Sequence, residues 1–288
     1  MNLKKTAFIL LNYINLSMNF KMFLYDYYYR LESFIKYRDP FFARIICFEI
    51  NTYCNRRCSY CPVSLETAVP NHFMDEELFK LCIQRLKEIN FTGSIMYHFY
   101  NEPLHDKRIA DFVRYTSEEL PQAISRIFTN GDKLTMEVAD ELFDAGLNDF
   151  LITDHNLKKG ILRKKLTKNG VLNKYKSQIF IDEGLGQTDD RPLDNRGGSV
   201  DIEALGSKER IRKNCKIVYE EVKVDYLGNV LLCSNDYYRK HNFGNLKEKK
   251  FMDIWKDAKY KRIRDNLRNA KSELEICQKC NYASPDRI

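Results

Sequence analysis

The 288-residue sequence contains no run of 18 or more apolar residues, so a transmembrane helix is not expected. It also has no large excess of charge of one sign. The formal net charge of +7 permits an anionic ligand without indicating nucleic acid. A clear secretory signal is missing too, because asparagines soon interrupt the apolar stretch in residues 1–11 and no small-residue cleavage site follows. We therefore expect a cytoplasmic protein in a reducing compartment.

Cysteine is plentiful, and its spacing is typical of metal binding rather than of disulfides. Cys54, Cys58 and Cys61 follow a short apolar, β-rich segment, residues 45–51, in the pattern CxxxCxxC. Three thiolates can bind three irons of a [4Fe–4S] cluster and leave the fourth iron without a protein ligand. Electron-transfer clusters usually take four cysteines, and an open coordination position is typical of a catalytic metal. A chance group of surface or zinc-binding cysteines is the alternative.

Predicted strands and helices alternate after these cysteines. Strand-like segments at residues 45–51, 95–99, 124–129, 150–153 and 179–182 are separated by helix-like segments at residues 75–90, 106–119, 135–145 and 158–169. This alternation indicates a parallel sheet with right-handed crossovers. Five or six such units are too few for a closed eight-stranded barrel. A Gly- and Asp-rich stretch, residues 182–212, then breaks the pattern and indicates a domain boundary.

Four further cysteines lie beyond this boundary. Cys215 and Cys233 flank a predicted β-hairpin that turns at residues 227–229, and Cys277 and Cys280 form a CxxC pair after a basic helix. These elements can gather four thiolates around one cluster, with structural zinc as the alternative. Ligation by four thiolates leaves no open iron, which suits electron transfer.

The first cysteine group, together with the aromatic Tyr60, resembles the signature of the radical S-adenosylmethionine (SAM) superfamily, CxxxCxx(aromatic)C. The resemblance implies a [4Fe–4S] cluster whose open iron is chelated by SAM, at the mouth of a partial (β/α)6 TIM-like barrel. The second group and Gly228 resemble a shortened SPASM extension, called twitch, which implies a second, auxiliary [4Fe–4S] cluster in a small α+β domain. We therefore predict an N-terminal helical extension (1–40), a radical SAM partial barrel (41–195) and an auxiliary iron–sulfur domain (196–288).

The resemblance also implies contacts to SAM. Residues 99–104 (F-Y-N-E-P-L) lie where the family has G-G-E-P-L, and the retained glutamate is expected to accept a hydrogen bond from the SAM amine. The T-N-G segment at residues 129–131 and the strand end at residues 153–154 resemble the family's other SAM-binding positions. The predicted cofactor-binding residues are Tyr60, Tyr100, Asn101, Glu102, Thr129, Asn130, Thr153 and Asp154. For Glu102, Thr129 and Asn130, a turn-forming role is the alternative.

Arg196 is the predicted catalytic residue. Its segment N-R-G-G resembles the N-R-(A/G)-G that precedes the auxiliary domain in this group of enzymes. A guanidinium offers a planar fork to a carboxylate or to neighbouring hydroxyls. We expect Arg196 to contact the SAM carboxylate, the substrate or both, and a surface arginine is the alternative.

The cysteine layout most resembles that of twitch-bearing dehydrogenases that oxidise aminocyclitols. It implies that a 5′-deoxyadenosyl radical removes hydrogen from a sugar or aminocyclitol alcohol, which becomes a ketone as the auxiliary cluster accepts an electron. A peptide or protein maturase and a metal-stabilised binding module are the alternatives. The expected partners are a small substrate, with a phosphorylated or nucleotide-linked sugar as one form, and a reductant such as flavodoxin or ferredoxin, without nucleic acid.

The aromatic N-terminal segment has two interpretations. Leu24, Tyr28, Leu31 and Ile35 fall on one face of a predicted helix. In the first interpretation this helix packs on the outside of the barrel. In the second, residues 1–38 contact a membrane surface or a partner as an interfacial helix.

Overall fold

The computed structural model describes residues 18–65, 71–156, 160–183, 193–204 and 215–282. Strands β1 to β8 are, in chain order, Ile45–Phe48, Ser94–Met96, Ile124–Thr129, Asp149–Asp154, Ile179–Glu183, Glu221–Val224, Asn229–Leu231 and Asn242–Asn245. Helices α1 to α10 are Met18–Tyr37, Glu76–Lys87, Ile109–Glu119, Met136–Asp144, Ile161–Lys168, Val171–Lys174, Ile217–Glu220, Phe251–Trp255, Ala258–Arg268 and Glu275–Lys279. Short 3-10 turns lie at Pro62–Leu65, Pro103–His105 and Arg196–Gly198.

All eight strands form one sheet in the order β5-β4-β3-β2-β1-β6-β7-β8. Strands β1 to β5 are parallel neighbours in chain order, as a partial barrel requires. Strand β6 adds a sixth parallel strand on the other side of β1, where Phe48 pairs with Val224. The expected α/β partial barrel is therefore confirmed. The division into three domains stays a prediction.

The predicted hairpin is confirmed as β6 and β7, which are antiparallel and turn between Asp225 and Gly228. Gly228 has φ of +88°, in the left-handed region that glycine adopts without steric cost. Because β6 also pairs with β1, the hairpin extends the barrel sheet towards the last cysteines.

Two barrel helices begin at a side-chain cap. Asp75 accepts from the amide of Leu78 at the start of α2, and Thr135 accepts from the amide of Val138 at the start of α4. Phe48 of β1 packs against Phe79 of α2, with ring centroids 5.5 Å apart. Alternate residues of β1 therefore face the helices, and those between them face the barrel interior.

Helix α1 lies on the outside of the sheet, held by two tyrosines. The Tyr29 hydroxyl donates to the Ala43 carbonyl at 3.2 Å, and the Tyr37 ring stacks on Phe42 with centroids 3.9 Å apart. No helix in the described part of the chain is long and apolar enough to cross a bilayer.

The predicted packing face of α1 is wrong. Tyr28, Leu31 and Ile35 are exposed, and Leu24 is half-buried. The buried side chains include Tyr29 and Tyr37, which lie on a different side of the helix. Hydrophobic spacing did not reveal this, because the tyrosine hydroxyl and ring contacts decide which side faces the barrel.

Candidate active site

The first cysteine group lies in the loop after β1, at the carboxyl end of the parallel strands. A tight turn brings two of the thiols together, since the Cys61 amide donates to the Cys58 carbonyl at 2.9 Å. Burial raises the pKa of Cys54 to about 11, and the nearby thiols of Cys61 and Cys58 add to the rise. Burial raises the pKa of Cys61 as well. A crowded thiol group of this kind fits a site in which iron supplies the compensating positive charge.

The second cysteine group is gathered around Cys233. Burial raises its pKa well above the usual range, and the proximity of Cys215, Cys277 and Cys280 adds to the effect. Backbone amides point at these sulfurs: the Asn235 amide donates to Cys233 Sγ at 3.4 Å, and that of Tyr282 donates to Cys280 Sγ at 3.4 Å. Amide donors to sulfur stabilise thiolates, so this donor set fits an iron–sulfur cluster.

The Asn235 side chain adds a third donor to this group. Its Nδ2 lies 3.5 Å from Cys280 Sγ, so one asparagine contacts two of the four cysteines. Sequence reasoning missed Asn235, although its position two residues after Cys233 was a usable signal.

Glu102 joins the ends of β2 and β3. Its buried carboxylate accepts from the Thr129 hydroxyl at 2.6 Å, the Asn130 amide at 2.8 Å and the Leu104 amide at 3.1 Å. Burial raises the pKa of Glu102, and these hydrogen bonds oppose the rise. A carboxylate has about four acceptor sites, so about one remains for a ligand. Three of the predicted residues thus meet in one cluster.

Asn101 acts within its own loop. Its side chain accepts from the Phe99 amide at 2.8 Å and donates to the Tyr97 carbonyl at 3.2 Å. These bonds fix the turn where the family has glycine. The structure therefore gives Asn101 a loop-forming role, and its predicted contact with SAM stays a prediction.

The end of β4 presents the carboxylate of Asp154. Asp154 Oδ1 accepts from the amide and side chain of Asn156, at 2.9 and 2.7 Å. Its Oδ2 is buried and has no hydrogen-bond partner among the described residues. Thr153 is half-buried beside it. A buried acceptor is stable only when paired, so Asp154 Oδ2 is suited to a ligand hydroxyl.

Tyr60 is tied to the same strand end. Its hydroxyl forms a short hydrogen bond with Nδ1 of His155. Burial lowers the pKa of His155 to about 4, and Arg56 contributes to the shift, so the imidazole is neutral at pH 7. The ring between the cysteines is thereby fixed in orientation. His155 was missed from the sequence, although it directly follows Asp154.

An ion pair clamps the cysteine loop to the end of β3. Arg56 Nε and Nη2 contact the two oxygens of Asp132 at 2.6 and 2.5 Å, and Asn55 donates to the same carboxylate at 2.9 Å. The Asn55 oxygen in turn accepts from Asn130 at 2.8 Å. Both members of the pair were missed, because their partnership spans 76 residues of sequence.

Tyr100 and Arg196 lie between the two cysteine groups. The Tyr100 hydroxyl is buried, and its pKa is raised by burial, with Arg196 opposing the rise and both Cys61 and Cys233 close enough to add to it. Arg196 Nη1 pairs with Asp194 at 3.4 Å. The Tyr100 hydroxyl and Arg196 Nε are both buried without a hydrogen-bond partner in the described part of the chain.

A partly buried ion pair lies near this region, with Glu49 fully buried and Arg239 half-buried. Arg239 Nη2 contacts both oxygens of Glu49 at 2.8 and 2.9 Å, and its guanidinium lies 5.8 Å from the Phe99 ring centre. Glu49 directly follows β1, and Arg239 follows the cysteine at the end of the hairpin. The pair therefore joins the barrel to the loop of the second cysteine group.

Comparisons with known proteins agree with this geometry. The model of the radical SAM superfamily matches residues 48–176, and that of the SPASM iron–sulfur cluster-binding domain matches residues 215–281. The S-adenosyl-L-methionine-dependent 2-deoxy-scyllo-inosamine dehydrogenase of Niallia circulans is 34% identical over 237 residues, which are 82% of this chain and 92% of that protein.

Two solved structures are also similar. BtrN in complex with AdoMet and 2-DOIA has a TM-score of 0.72 and 32% identity, over 85% of this chain and 95% of BtrN. Selenomethionine BtrN in an open conformation has a TM-score of 0.65 and 27% identity, over 85% and 94% of the two chains.

The chain belongs to the radical SAM superfamily. It is a radical SAM enzyme with an iron–sulfur cluster-binding domain after the barrel. The expectation of SAM and iron–sulfur clusters as cofactors is thereby confirmed for the two domains. Which side chains hold them stays a prediction.

Proposed function

We propose that this enzyme is a dehydrogenase that oxidises a secondary alcohol of an amine-bearing, polyhydroxylated ring to a ketone. The observation that carries the proposal is the pair of buried polar atoms, Tyr100 Oη and Arg196 Nε, between the two cysteine groups. The name of the Niallia circulans relative, a 2-deoxy-scyllo-inosamine dehydrogenase, supports the reaction and the class of substrate.

The proposed cofactor sites follow from the two donor sets. Cys54, Cys58 and Cys61 would hold the cluster that binds SAM, and the second group would hold an auxiliary [4Fe–4S] cluster through Cys215, Cys233, Cys277 and Cys280. SAM bound there would supply the radical chemistry that removes a hydrogen atom from the substrate carbon.

The substrate then has to lose one proton and one electron to become a ketone. We assign Arg196 to the substrate oxygen, because a nearby guanidinium favours the deprotonated form of an alcohol. The Tyr100 hydroxyl would donate to, or accept from, the same oxygen or its neighbour. Since Tyr100 is also close to Cys233, the substrate would lie beside the auxiliary cluster, the proposed electron acceptor.

The remaining predicted residues would hold SAM. Asp154 Oδ2 suits a ribose hydroxyl, because it is a buried acceptor without a donor among the described residues. Glu102 has about one acceptor site left for the SAM amine. Tyr60, oriented by His155, would lie against the cofactor next to the cluster.

The proposal also includes the partners. A flavodoxin or ferredoxin would supply the electron that reduces the cluster, and a phosphorylated or nucleotide-linked form of the ring is one possible substrate. Flavodoxin or ferredoxin as the electron donor fits a reducing cytoplasm, and so do the proposed iron–sulfur clusters. Residues 1–38 would contact a membrane surface.

The proposal predicts that Tyr100→Phe and Arg196→Lys each lower kcat for ketone formation by about 10- to 100-fold, since each removes one transition-state contact. The measurement uses anaerobically reconstituted enzyme with 2-deoxy-scyllo-inosamine and related polyols, and follows ketone and 5′-deoxyadenosine together. Wild-type enzyme should form them in a ratio of about one to one.

Tyr238→Phe is the matched control, because Tyr238 is an exposed tyrosine that directly precedes Arg239. It should leave turnover unchanged. Failure of the wild-type enzyme to oxidise any polyol while it still cleaves SAM would contradict the dehydrogenase assignment. Turnover of a peptide instead would establish the maturase alternative.

A further inference from the structure

Helix α1 exposes a continuous apolar face. We call it the aromatic stripe, and it consists of Phe20, Phe23, Tyr27, Leu31, Phe34 and Ile35. Their spacing of three or four residues places them on one side of the helix. Phe23 and Ile35 are each 63% exposed, and the least exposed members of the stripe are still 47% exposed. Clusters of exposed apolar side chains usually mark an interaction surface.

The opposite side of α1 is fixed to the barrel. Tyr29 and Tyr37 are buried there. Asp26 adds a short ion pair to Arg44, which is next to β1, and the Arg44 guanidinium lies over the Tyr29 ring at 4.1 Å. Because these contacts hold one side of the helix, the aromatic stripe cannot turn towards the core without breaking them.

Charge around α1 is unevenly distributed. Residues 1–38 contain six lysines and arginines and only two acidic residues, Asp26 and Glu32. This excess of four positive charges is more than half of the whole chain's net charge of +7. Asp26 is also neutralised by ion pairs with Arg30 and Arg44. The segment that presents the apolar face therefore carries a net positive charge.

We propose that the aromatic stripe docks on an anionic phospholipid membrane surface, to which the net positive charge of residues 1–38 is attracted. Phenylalanine and tyrosine side chains favour the membrane interface, and an amphipathic basic helix binds there through both apolar burial and charge. Charge complementarity favours lipid over a second copy of the chain, because pairing two stripes would bring two segments of charge +4 together. This site is separate from the proposed catalytic residues.

The test is flotation of the full-length, reconstituted protein with vesicles. Phosphatidylcholine vesicles that contain about 30% phosphatidylglycerol should carry wild-type protein, and pure phosphatidylcholine should carry much less. The double variant Phe23→Ser/Ile35→Ser should lower binding to the anionic vesicles by at least about tenfold. Higher salt should weaken wild-type binding through screening.

Ile161→Ser is the matched control, since Ile161 is also an exposed aliphatic residue, on α5. It should bind vesicles as wild type does, and all three proteins should cleave SAM equally. Equal flotation of wild type and the double variant would overturn the proposal. So would a wild-type dimer in light scattering that the double variant abolishes, because the aromatic stripe would then bind a second copy.

Discussion

At the residue scale, the proposed site contains buried polar atoms of two kinds. Those of Glu102 are satisfied by protein donors and organise the strand ends. Three other atoms, Tyr100 Oη, Arg196 Nε and Asp154 Oδ2, have no hydrogen-bond partner among the described residues and lie where ligands are proposed. Since an unpaired buried polar atom costs about 1–3 kcal/mol, the second kind indicates ligand binding more strongly than the sequence motifs alone.

Glu49 and Arg239 give a prediction about pH. Burial raises the pKa of Glu49 to about 7, although Arg239 opposes the rise. The folded state thus binds this proton more tightly than the unfolded state, whose carboxyl has its ordinary pKa of 4.5. The contribution of Glu49 to the free energy of unfolding is therefore largest below about pH 4.5 and declines as the pH rises through 7.

Arg239→Met should raise the pKa of Glu49 further. The decline of the Glu49 contribution to unfolding free energy should then extend above pH 7. We expect the variant to lose about 3 kcal/mol of unfolding free energy at pH 8, and clearly less at pH 6, where Glu49 can remain protonated. Urea unfolding of the reconstituted wild type and variant at pH 6 and pH 8 measures both losses of unfolding free energy. Arg262→Met is the control, because Arg262 makes an exposed ion pair with Glu273, and it should cost below about 1 kcal/mol at either pH. Equal losses at pH 6 and 8 in Arg239→Met would count against the assigned titration.

At the element scale, local patterns were enough for the order of strands and helices. Strand β3 occupies its predicted residues, 124–129, and α4 lies within its predicted segment, 135–145. The pairing of β6 with β1 was not predictable, because it joins segments about 175 residues apart and depends on the whole sheet. The orientation of α1 was not predictable either, since tyrosine contacts with the barrel outweigh its hydrophobic spacing.

The same distinction between local patterns and long-range contacts applies to the candidate active site. The cysteine groups are visible as motifs, whereas His155, Asp132 and Asn235 carry no motif that points to their partners. Each acts across a gap in sequence that the fold closes, as in the hydrogen bond between His155 and Tyr60, which spans 95 residues. Sequence therefore indicates which residues have the chemistry, and long-range packing decides which side chains orient them.

The ion pair between Arg56 and Asp132 holds the cysteine loop, and it gives the prediction at the element scale. Asp132→Asn removes the charge that pairs with Arg56 and weakens the link to the end of β3. We expect a chelator to remove iron from the first cluster about tenfold faster, because the loop opens more often. The loss of cluster absorbance after addition of chelator measures this rate.

Asp111→Asn is the control for the clamp. Asp111 pairs with Arg114 on an exposed face of α3, away from either cysteine group. Its variant should lose iron at the wild-type rate. If Asp132→Asn also kept that rate, the ion pair would have no part in holding the loop.

At the scale of the whole molecule, the continuous sheet places both cysteine groups around one site. The first group follows β1, and β6, which pairs with β1, leads through β7 to Cys233. Tyr100 and Arg196 lie between the two groups. One substrate can therefore reach both the proposed radical source and the proposed electron acceptor, which is the arrangement that a dehydrogenase needs.

The central claim is that two four-iron clusters flank the substrate. The most direct test measures iron, sulfide and dithionite-driven SAM cleavage in anaerobically reconstituted wild type and in the Cys54→Ala/Cys58→Ala/Cys61→Ala variant. We expect about eight irons and SAM cleavage in wild type, and about four irons without cleavage in the variant. About four irons together with bound zinc in wild type would remove the auxiliary electron acceptor and contradict the dehydrogenase mechanism.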